Sequence, residues 1–591
     1  MSQPPPSIRR YALALLLLTA GSAAAQPAPP AWVAKSDQNT QVVLEALARF
    51  SPEAAADLGI SGFDEEILDL KPGFDARARE ASLQVRAELA RRLEAESDPR
   101  VRQDLQILID SIDSEIQGTE LGRRHYLPYY NVAQTVFGSM SSLLDDQIEP
   151  ARRPAALVRL KKYTGLAPGF TPLTRLAEDH IRTRLSTPGL VGPFRDEVER
   201  DLANNAKVVA GIAELFEKYG IKGYEEPYAR LKEQLAAYDE FVRKEILPRT
   251  ATDFRLPPEI YAYILREQGV DMPVEELVSR AEVAFREIQN EMESLAPLVA
   301  KEKGYTVTDY RGVLRELKKQ QITGDAILPH FQARIRAIEE IIRREGIVSL
   351  PDRPMKFRVA SEAESVARPS PHMQPPRLIG NTGEMGEFVL PLRIPGREGQ
   401  GNLALDDFTF DAFSWPVTAH EGRPGHDLQF ASLVEKGVSR ARSIFAQNSV
   451  NVEGWALYAE AEVKPYLPLD GQLATLQSRL ARAARALLDP SLQLGTVSRD
   501  EAIRVLREDV VLSEGMALSE VERYTFRSPG QATTYFVGYT RLMELRAEVE
   551  RILGKSFDRR KFHDFLLAQG LLPPKLLRQA VFEEFIPQQK K

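Results

Sequence analysis

The sequence predicts a mainly α-helical protein, large and two-lobed, with a small β-sheet in its second half. Three observations carry this expectation. Apolar residues recur at three- and four-residue spacing through 78–96, 100–115, 193–219 and 224–247, the period of one buried helix face. The texture changes after residue 347: positions 348–405 are rich in proline and glycine and carry short apolar runs such as Phe388-Val389-Leu390-Pro391-Leu392, which suit short strands. The chain, at 591 residues, is long enough to bury a large core and to divide into lobes.

Taken in order, residues 1–25 read as an export signal. Arg9 and Arg10 precede an apolar run over 11–20, and Ala23-Ala24-Ala25 supplies a small-residue cleavage site after Ala25. The expected location is therefore periplasmic or secreted. The apolar run is too short to span a membrane, and no other segment approaches the required length. Residues 26–36, rich in proline and alanine, are expected to be a disordered lead-in. A helical lobe over 37–255 follows, punctuated by Pro/Gly clusters at 72–73, 167–173 and 188–193. The remainder, 256–591, is expected to be the catalytic lobe, opening with helices at 273–304 and 325–346.

Composition excludes several classes. The formal charge is −7, and there is no basic surplus to neutralise phosphates, so a nucleic-acid partner is not expected. The chain has no cysteine, hence neither a disulfide framework nor a lipid-attachment cysteine. Of seven histidines, His125 fits a turn packed by tyrosines, His180 a charged helix surface, His330 a structural role, His372 a proline-rich loop and His563 a structural place in the tail.

The two remaining candidates lie in His420-Glu421-Gly422-Arg423-Pro424-Gly425-His426-Asp427-Leu428-Gln429. In the pattern His-Glu-x-x-His the two imidazoles share one helix face, with the glutamate beside a metal-bound water. Here the histidines are six apart, and at about 100° per residue a regular helix would carry them to different faces. Pro424 lacks an N–H and its ring would clash with the carbonyl of residue 420, while Gly425 tolerates angles other residues avoid. A helix that starts near Ser414, breaks at 422–425 and resumes until Gly437 is therefore expected.

The segment His-Glu-x-x-Pro-Gly-His-x-x-Gln resembles the hallmark of a bacterial family of unknown function, DUF885, itself similar to the gluzincin zinc metallopeptidases of the thimet oligopeptidase and neurolysin type. Two further blocks carry the resemblance in the same order: Glu453-Gly454-Trp455-Ala456-Leu457-Tyr458-Ala459-Glu460, and Pro529-Gly530-Gln531-Ala532 continuing to Tyr535, Gly538 and Tyr539.

The resemblance implies a metallopeptidase-like helical fold with a central channel. It implies Zn2+ held by His420, His426 and a glutamate of the following helix, Glu453, with Glu460 as fallback ligand or as a partner for a histidine N–H. Glu421 would be the general base. A late tyrosine would donate to the oxyanion: Tyr535, with Tyr539 one turn on as its rival. A Tyr/Leu/Met stripe also suits an ordinary core helix, and Trp455 and Tyr458 fit the core. Asn451 and Ser528 are expected to cap their helices. In gluzincins an edge strand upstream of the metal helix pairs with substrate, and 387–393 is the candidate, unless it is a plain hairpin.

The expected function is an exported zinc-dependent metallopeptidase acting on oligopeptides through metal-activated water. A zinc hydrolase of a non-peptide amide or ester, and a non-catalytic peptide-binding relative, remain open. His2Glu ligation also accepts other divalent ions.

Overall fold

The computed structural model describes residues 30–368, 370–381, 383–395, 402–404 and 406–590. The export signal expected over residues 1–25 lies outside them. The protein is mainly α-helical with a small sheet. Among the described residues no helix is long and apolar enough to cross a membrane.

Two compact units are present. The first takes the chain up to Asp253 together with Arg377–Glu384 and Gly437–Ala446. Its longer helices include Ala31–Leu47, Phe74–Ala95, Pro99–His125, Arg195–Lys218 and Glu225–Phe241. Helix starts follow local chemistry: Asp98 accepts the Arg100 N–H and Pro99 takes the first helical position, where no N–H is needed. Residues 31–36, expected in a disordered lead-in, instead open the helix Ala31–Leu47, in which Val33, Ser36 and Thr40 are buried. Ser36 donates to the buried Asp104 at 2.6 Å, which orders the start of that helix. Asp104 also accepts from Ser439 at 2.6 Å and Arg442 at 2.8 Å, holding the returning segment 437–446 in this unit. His180, expected at the surface, is half-buried against the Tyr130 hydroxyl at 2.9 Å.

The second unit takes Phe254–Pro376, Met385–Lys436 and Gln447–Lys591. Its elements are α1 (Val274–Lys303), α2 (Ile327–Glu345), β1 (Lys356–Val359), β2 (His372–Gln374), β3 (Glu387–Leu390), α3 (Ser414–Glu421), α4 (His426–Lys436), α5 (Ser449–Val463), α6 (Leu469–Gln493), α7 (Glu514–Glu522), α8 (Thr534–Leu553) and α9 (Arg559–Ala568). Helices α1 and α6 pack along their lengths. Met292, Ala296 and Val299 of α1 and Leu473, Leu476, Leu480 and Ala484 of α6 are buried in the same core. Replacing one such leucine by alanine costs about 2–5 kcal/mol, depending on how far the site collapses.

In the sheet, β3 lies at the centre, parallel to β1 (Lys356↔Glu387 to Val359↔Leu390) and antiparallel to β2 (His372↔Val389 to Gln374↔Glu387). This corrects two expectations. His372 is in a strand rather than a loop, and residues 387–390 are not an edge: both sides of β3 are already paired, so it has no free ladder to offer a peptide. All four residues of β3 are buried.

A candidate metal centre

Helix α3 ends at Glu421 and α4 begins at His426, so the chain breaks between them. The Arg423–Pro424 peptide is cis. The break is fixed by several contacts. Gly425 N–H donates to the Ala419 carbonyl at 2.9 Å and Asp427 N–H to that of Gly422 at 3.1 Å. Buried Arg423 donates to Asp427 at 2.9 Å, to Glu339 of α2 at 2.7 Å, and to the Arg353 carbonyl. The Pro424 carbonyl accepts from Trp455 Nε1 at 2.9 Å. The role of Gly425 differs from the expected one. Its φ is not positive; instead a Cβ would collide with the Ala419 and His420 carbonyls, with His420 C at 2.7 Å. Space, not backbone angle, demands glycine here.

The break turns His426 back toward His420: the ring centroids are 4.7 Å apart and nearly perpendicular. Glu453 of α5 completes the group, its Oε2 3.5 Å from His420 Nε2 and 3.2 Å from His426 Nε2. One ligand atom from each of the three residues lies within 4.8 Å of the others. Tetrahedral zinc with bonds of about 2.1 Å separates its ligand atoms by about 3.4 Å, so these three residues fit a zinc-sized cation. Two further features agree. Glu453 Oε2 is buried yet makes no hydrogen bond among the described residues. Glu453 Oε1 instead accepts from Gln531 Nε2 at 3.3 Å, leaving Oε2 turned to the imidazoles.

Glu460, two turns along α5, hydrogen-bonds His420 Nδ1 at 2.7 Å. That contact places a proton on Nδ1 and frees Nε2, the arrangement by which an outer carboxylate orients a metal-binding histidine. The geometry thus separates the two glutamates: Glu453 faces both Nε2 atoms, and Glu460 stands behind His420. His426 Nδ1 is buried without a hydrogen-bond partner.

With protein groups alone, burial lowers the His420 pKa, but the neighbouring carboxylates of Glu453 and Glu460 outweigh it and leave the imidazole raised to about 9. Burial would raise Glu453; its two imidazole neighbours hold it well below the usual carboxylate range. Burial raises Glu421, against the pull of both histidines. The Glu421 side chain is 8 % exposed and makes no hydrogen bond among the described residues, so its oxygens are uncommitted.

Helix α5 is capped by Asn448, whose side chain accepts the Asn451 N–H at 2.8 Å, not by Asn451 as expected. Asn451 instead accepts from Gln429 at 2.9 Å, tying α4 to α5. Trp455 and Tyr458 are buried, Tyr458 bonding His563 at 2.7 Å. Ser528 does not cap α8 either. Residues 528–530 form a turn in which Gly530 N–H reaches both oxygens of Asp489 at 2.9 Å, and α8 begins only at Thr534. Along α5 and α8 the backbones touch at Gly454 and Gly538, where a Cβ on Gly454 would lie 2.5 Å from the Gly538 Cα.

That approach sets Tyr535 against His420, rings stacked at 5.9 Å. The Tyr535 hydroxyl accepts from Arg523 at 2.9 Å, and burial raises its pKa. Tyr539 is half-buried under Arg479 and does not line the cleft beside His420. That cleft, lined by His420, Glu421 and Tyr535, also holds Arg482, Arg485 and Arg523. These arginines were missed in the sequence; their signal was Arg482 and Arg485 three apart on the buried side of an Ala/Leu helix.

The family model for bacterial proteins of unknown function, DUF885, matches residues 52–581. The chain belongs to this family. The three blocks around His420, Glu453 and Tyr535 are therefore placed within one DUF885 protein, all in its second unit. Two solved structures share the DUF885 chain's fold. One, from Shewanella oneidensis, is described as a lipoprotein of unknown function; it is 19 % identical, covers 93 % of this chain and 100 % of that one, with a TM-score of 0.68. The other, a lipoprotein from Colwellia psychrerythraea, is 16 % identical, covers 94 % and 99 %, and has a TM-score of 0.71. A structure of PZ peptidase A with an inhibitor aligns at 11 % identity over 87 % of this chain and 95 % of that one, but with a TM-score of 0.20 it carries no argument. No curated protein matches the sequence.

Proposed function

We propose that this DUF885 protein is a zinc-dependent hydrolase of peptide bonds in short peptides, working outside the cytoplasm. The observation that carries the reading is the convergence of His420 Nε2, His426 Nε2 and Glu453 Oε2, spaced 3.2 and 3.5 Å as zinc ligands are, beside an uncommitted buried carboxylate, Glu421.

His420, His426 and Glu453 would hold the cation, and Glu460 would keep His420 in the required tautomer. A bound zinc supplies Lewis acidity, polarising a carbonyl and lowering the pKa of water toward neutrality. Glu421 takes the proton of the attacking water and delivers it to the leaving amine. Its buried position favours a carboxylate that can hold a proton between those steps. Tyr535, already held by Arg523, turns its O–H to the oxyanion. Peptide substrates are favoured by the similarity of the DUF885 family, whose three blocks this chain carries, to the gluzincin peptidases. Export is favoured by the Arg9-Arg10 signal sequence and by the lipoprotein descriptions of the two structural relatives.

The test is hydrolysis of a peptide library by the zinc-loaded protein, with Glu421→Gln in parallel. Cleavage by the wild type and a loss of about 10²–10⁴-fold in the variant at unchanged zinc content is the expected outcome. Equal rates in the two would remove Glu421 from the chemistry.

A further inference from the structure

We propose that the cleft beside the metal centre is a carboxylate pocket in which Arg482 and Arg523 hold the free C-terminus of a short peptide. The inference rests on the hydrolase reading above and names its substrate class: peptides from which one or two C-terminal residues are released.

The three guanidiniums of the cleft gather on one aromatic ring. The Cζ atoms of Arg482, Arg485 and Arg523 lie 5.5, 4.6 and 5.3 Å from the Tyr535 centroid. The same ring stacks on His420. Metal ligand and arginine cluster are therefore neighbours across a single side chain.

Their charges are not balanced. Glu520 is taken up by Arg485, which binds it through two contacts of 2.7 Å, and by the Tyr524 hydroxyl at 2.6 Å. Arg523 reaches Glu520 only at 3.4 Å, and its other nitrogens go to the neutral Gln531 oxygen and the Tyr535 hydroxyl. Arg482 donates to Ser478 Oγ at 2.8 Å and lies 3.6 Å from Glu460, which is already committed to His420. Its Nε is buried with no hydrogen-bond partner among the described residues. Of the other carboxylates around the cleft, Asp407 is paired with Lys318 and Ser513, Asp489 accepts from the Gly530 N–H and the Tyr261 hydroxyl, and Glu421 and Glu453 belong to the metal centre. Two guanidiniums, with side chains 14 % and 19 % exposed, are thus left short of counter-charge. Charge in such a place calls for a partner, and a guanidinium fork matches a carboxylate.

Position selects the C-terminus. Tyr535 bridges the two: its ring lies 5.9 Å from the His420 ring and 5.5 and 5.3 Å from the Arg482 and Arg523 guanidiniums. One extended residue spans about 3.5 Å, so a carboxylate on the arginines lies one or two residues beyond a bond presented to the metal ligands. Hydrolysis of that bond forms the new C–O bond from water, breaks C–N, and leaves the water's proton on the departing amine.

Calorimetry on the zinc-loaded Glu421→Gln protein tests this without turnover. The probes are tripeptides ending in alanine, leucine, phenylalanine or arginine, each as free acid and as C-terminal amide, with amides carrying an internal glutamate as a further set. The best free acid is expected to bind at least about 30-fold tighter than its amide. Adding Arg482→Gln is expected to bring that ratio within about 3-fold, whereas Arg482→Lys retains part of it. The wild-type-cleft comparison stands even if an arginine variant misfolds. Equal binding of acid and amide, glutamate amides that match the free acids, or no binding of any tripeptide would each overturn the assignment. Discriminating binding with no hydrolysis by the wild type would sink the hydrolase reading alone and leave the pocket standing.

Discussion

Trp455 Nε1 donates to the carbonyl of Pro424 at 2.9 Å, joining the helix that carries Glu453 to the break that turns His426 back to His420. Two halves of the proposed metal site, separate in sequence, are registered by one buried hydrogen bond. Trp455→Phe keeps most of the apolar volume and leaves the carbonyl unpaired, at a cost of about 1–3 kcal/mol. Denaturation should show that loss, and zinc titration should show weaker binding as well. A variant that is destabilised but binds zinc like the wild type would show that this bond serves stability only.

The close approach of α5 and α8 makes Gly454 and Gly538 sensitive. On either glycine a Cβ meets backbone of the other helix rather than a side chain that could move aside. Gly454→Ala should therefore force the helices apart, costing about 1–3 kcal/mol or more, and shift Tyr535 relative to Glu453. The check is a urea unfolding midpoint together with zinc affinity. An unchanged midpoint would mean that the helices are not packed at this distance.

Glu453 and Glu460 are chemically identical and seven residues apart, and the geometry gives them different work. Glu453→Gln should abolish stoichiometric zinc binding, because it removes a charged ligand. Glu460→Gln should leave binding in place but weaken it by about 10–100-fold. Competition with a chelator of known affinity measures both. The reverse order would exchange their roles.

Acid sensitivity should come in part from His563, which burial holds down to about 4 while it bonds Tyr458 and the Ile347 carbonyl. An unfolded chain takes up this proton near pH 6.5, whereas the folded protein takes it up only near pH 4. Between those values the unfolded state holds more protons, so stability falls as the pH falls, by on the order of 3 kcal/mol from this residue. Buried Asp489, raised to about 7 by burial, has the opposite sign and gains stability for the fold on acidification. Comparing His563→Gln with the wild type at pH 7 and pH 4.5 isolates the histidine: the variant should lose less stability on acidification. Parallel losses would remove His563 from the acid response.

Much of the site was legible because its causes are local. Pro424 lacks the N–H that a helix interior needs, and six-residue histidine spacing makes sense only with a break there. Glu453 was reachable through its block, although spacing alone could not rank it above Glu460; that needed the 2.7 Å contact to His420. What escaped depends on partners far along the chain. Arg523 and Arg485 meet at Glu520 and Tyr535 from positions 38 apart in the chain, a meeting that no local pattern announces. Asn448 takes the cap expected of Asn451, whose side chain is engaged by Gln429 and by the Leu572 carbonyl far along the chain. Ser528 loses its capping role to Asp489, 39 residues upstream of it in the chain and beside it in space. Strand 387–390 was visible as apolar sequence, yet its central place in the sheet follows from pairing with 356–359 and 372–374.

The most direct measurement is metal content by elemental mass spectrometry, on protein purified without chelator and then dialysed against zinc, with His426→Ala alongside. About one zinc per chain in the wild type, and none retained by the variant, is the result expected of a three-ligand site built by the break at Pro424. Wild-type protein that carries no metal after dialysis would contradict the account, because three residues spaced for a cation would then hold none.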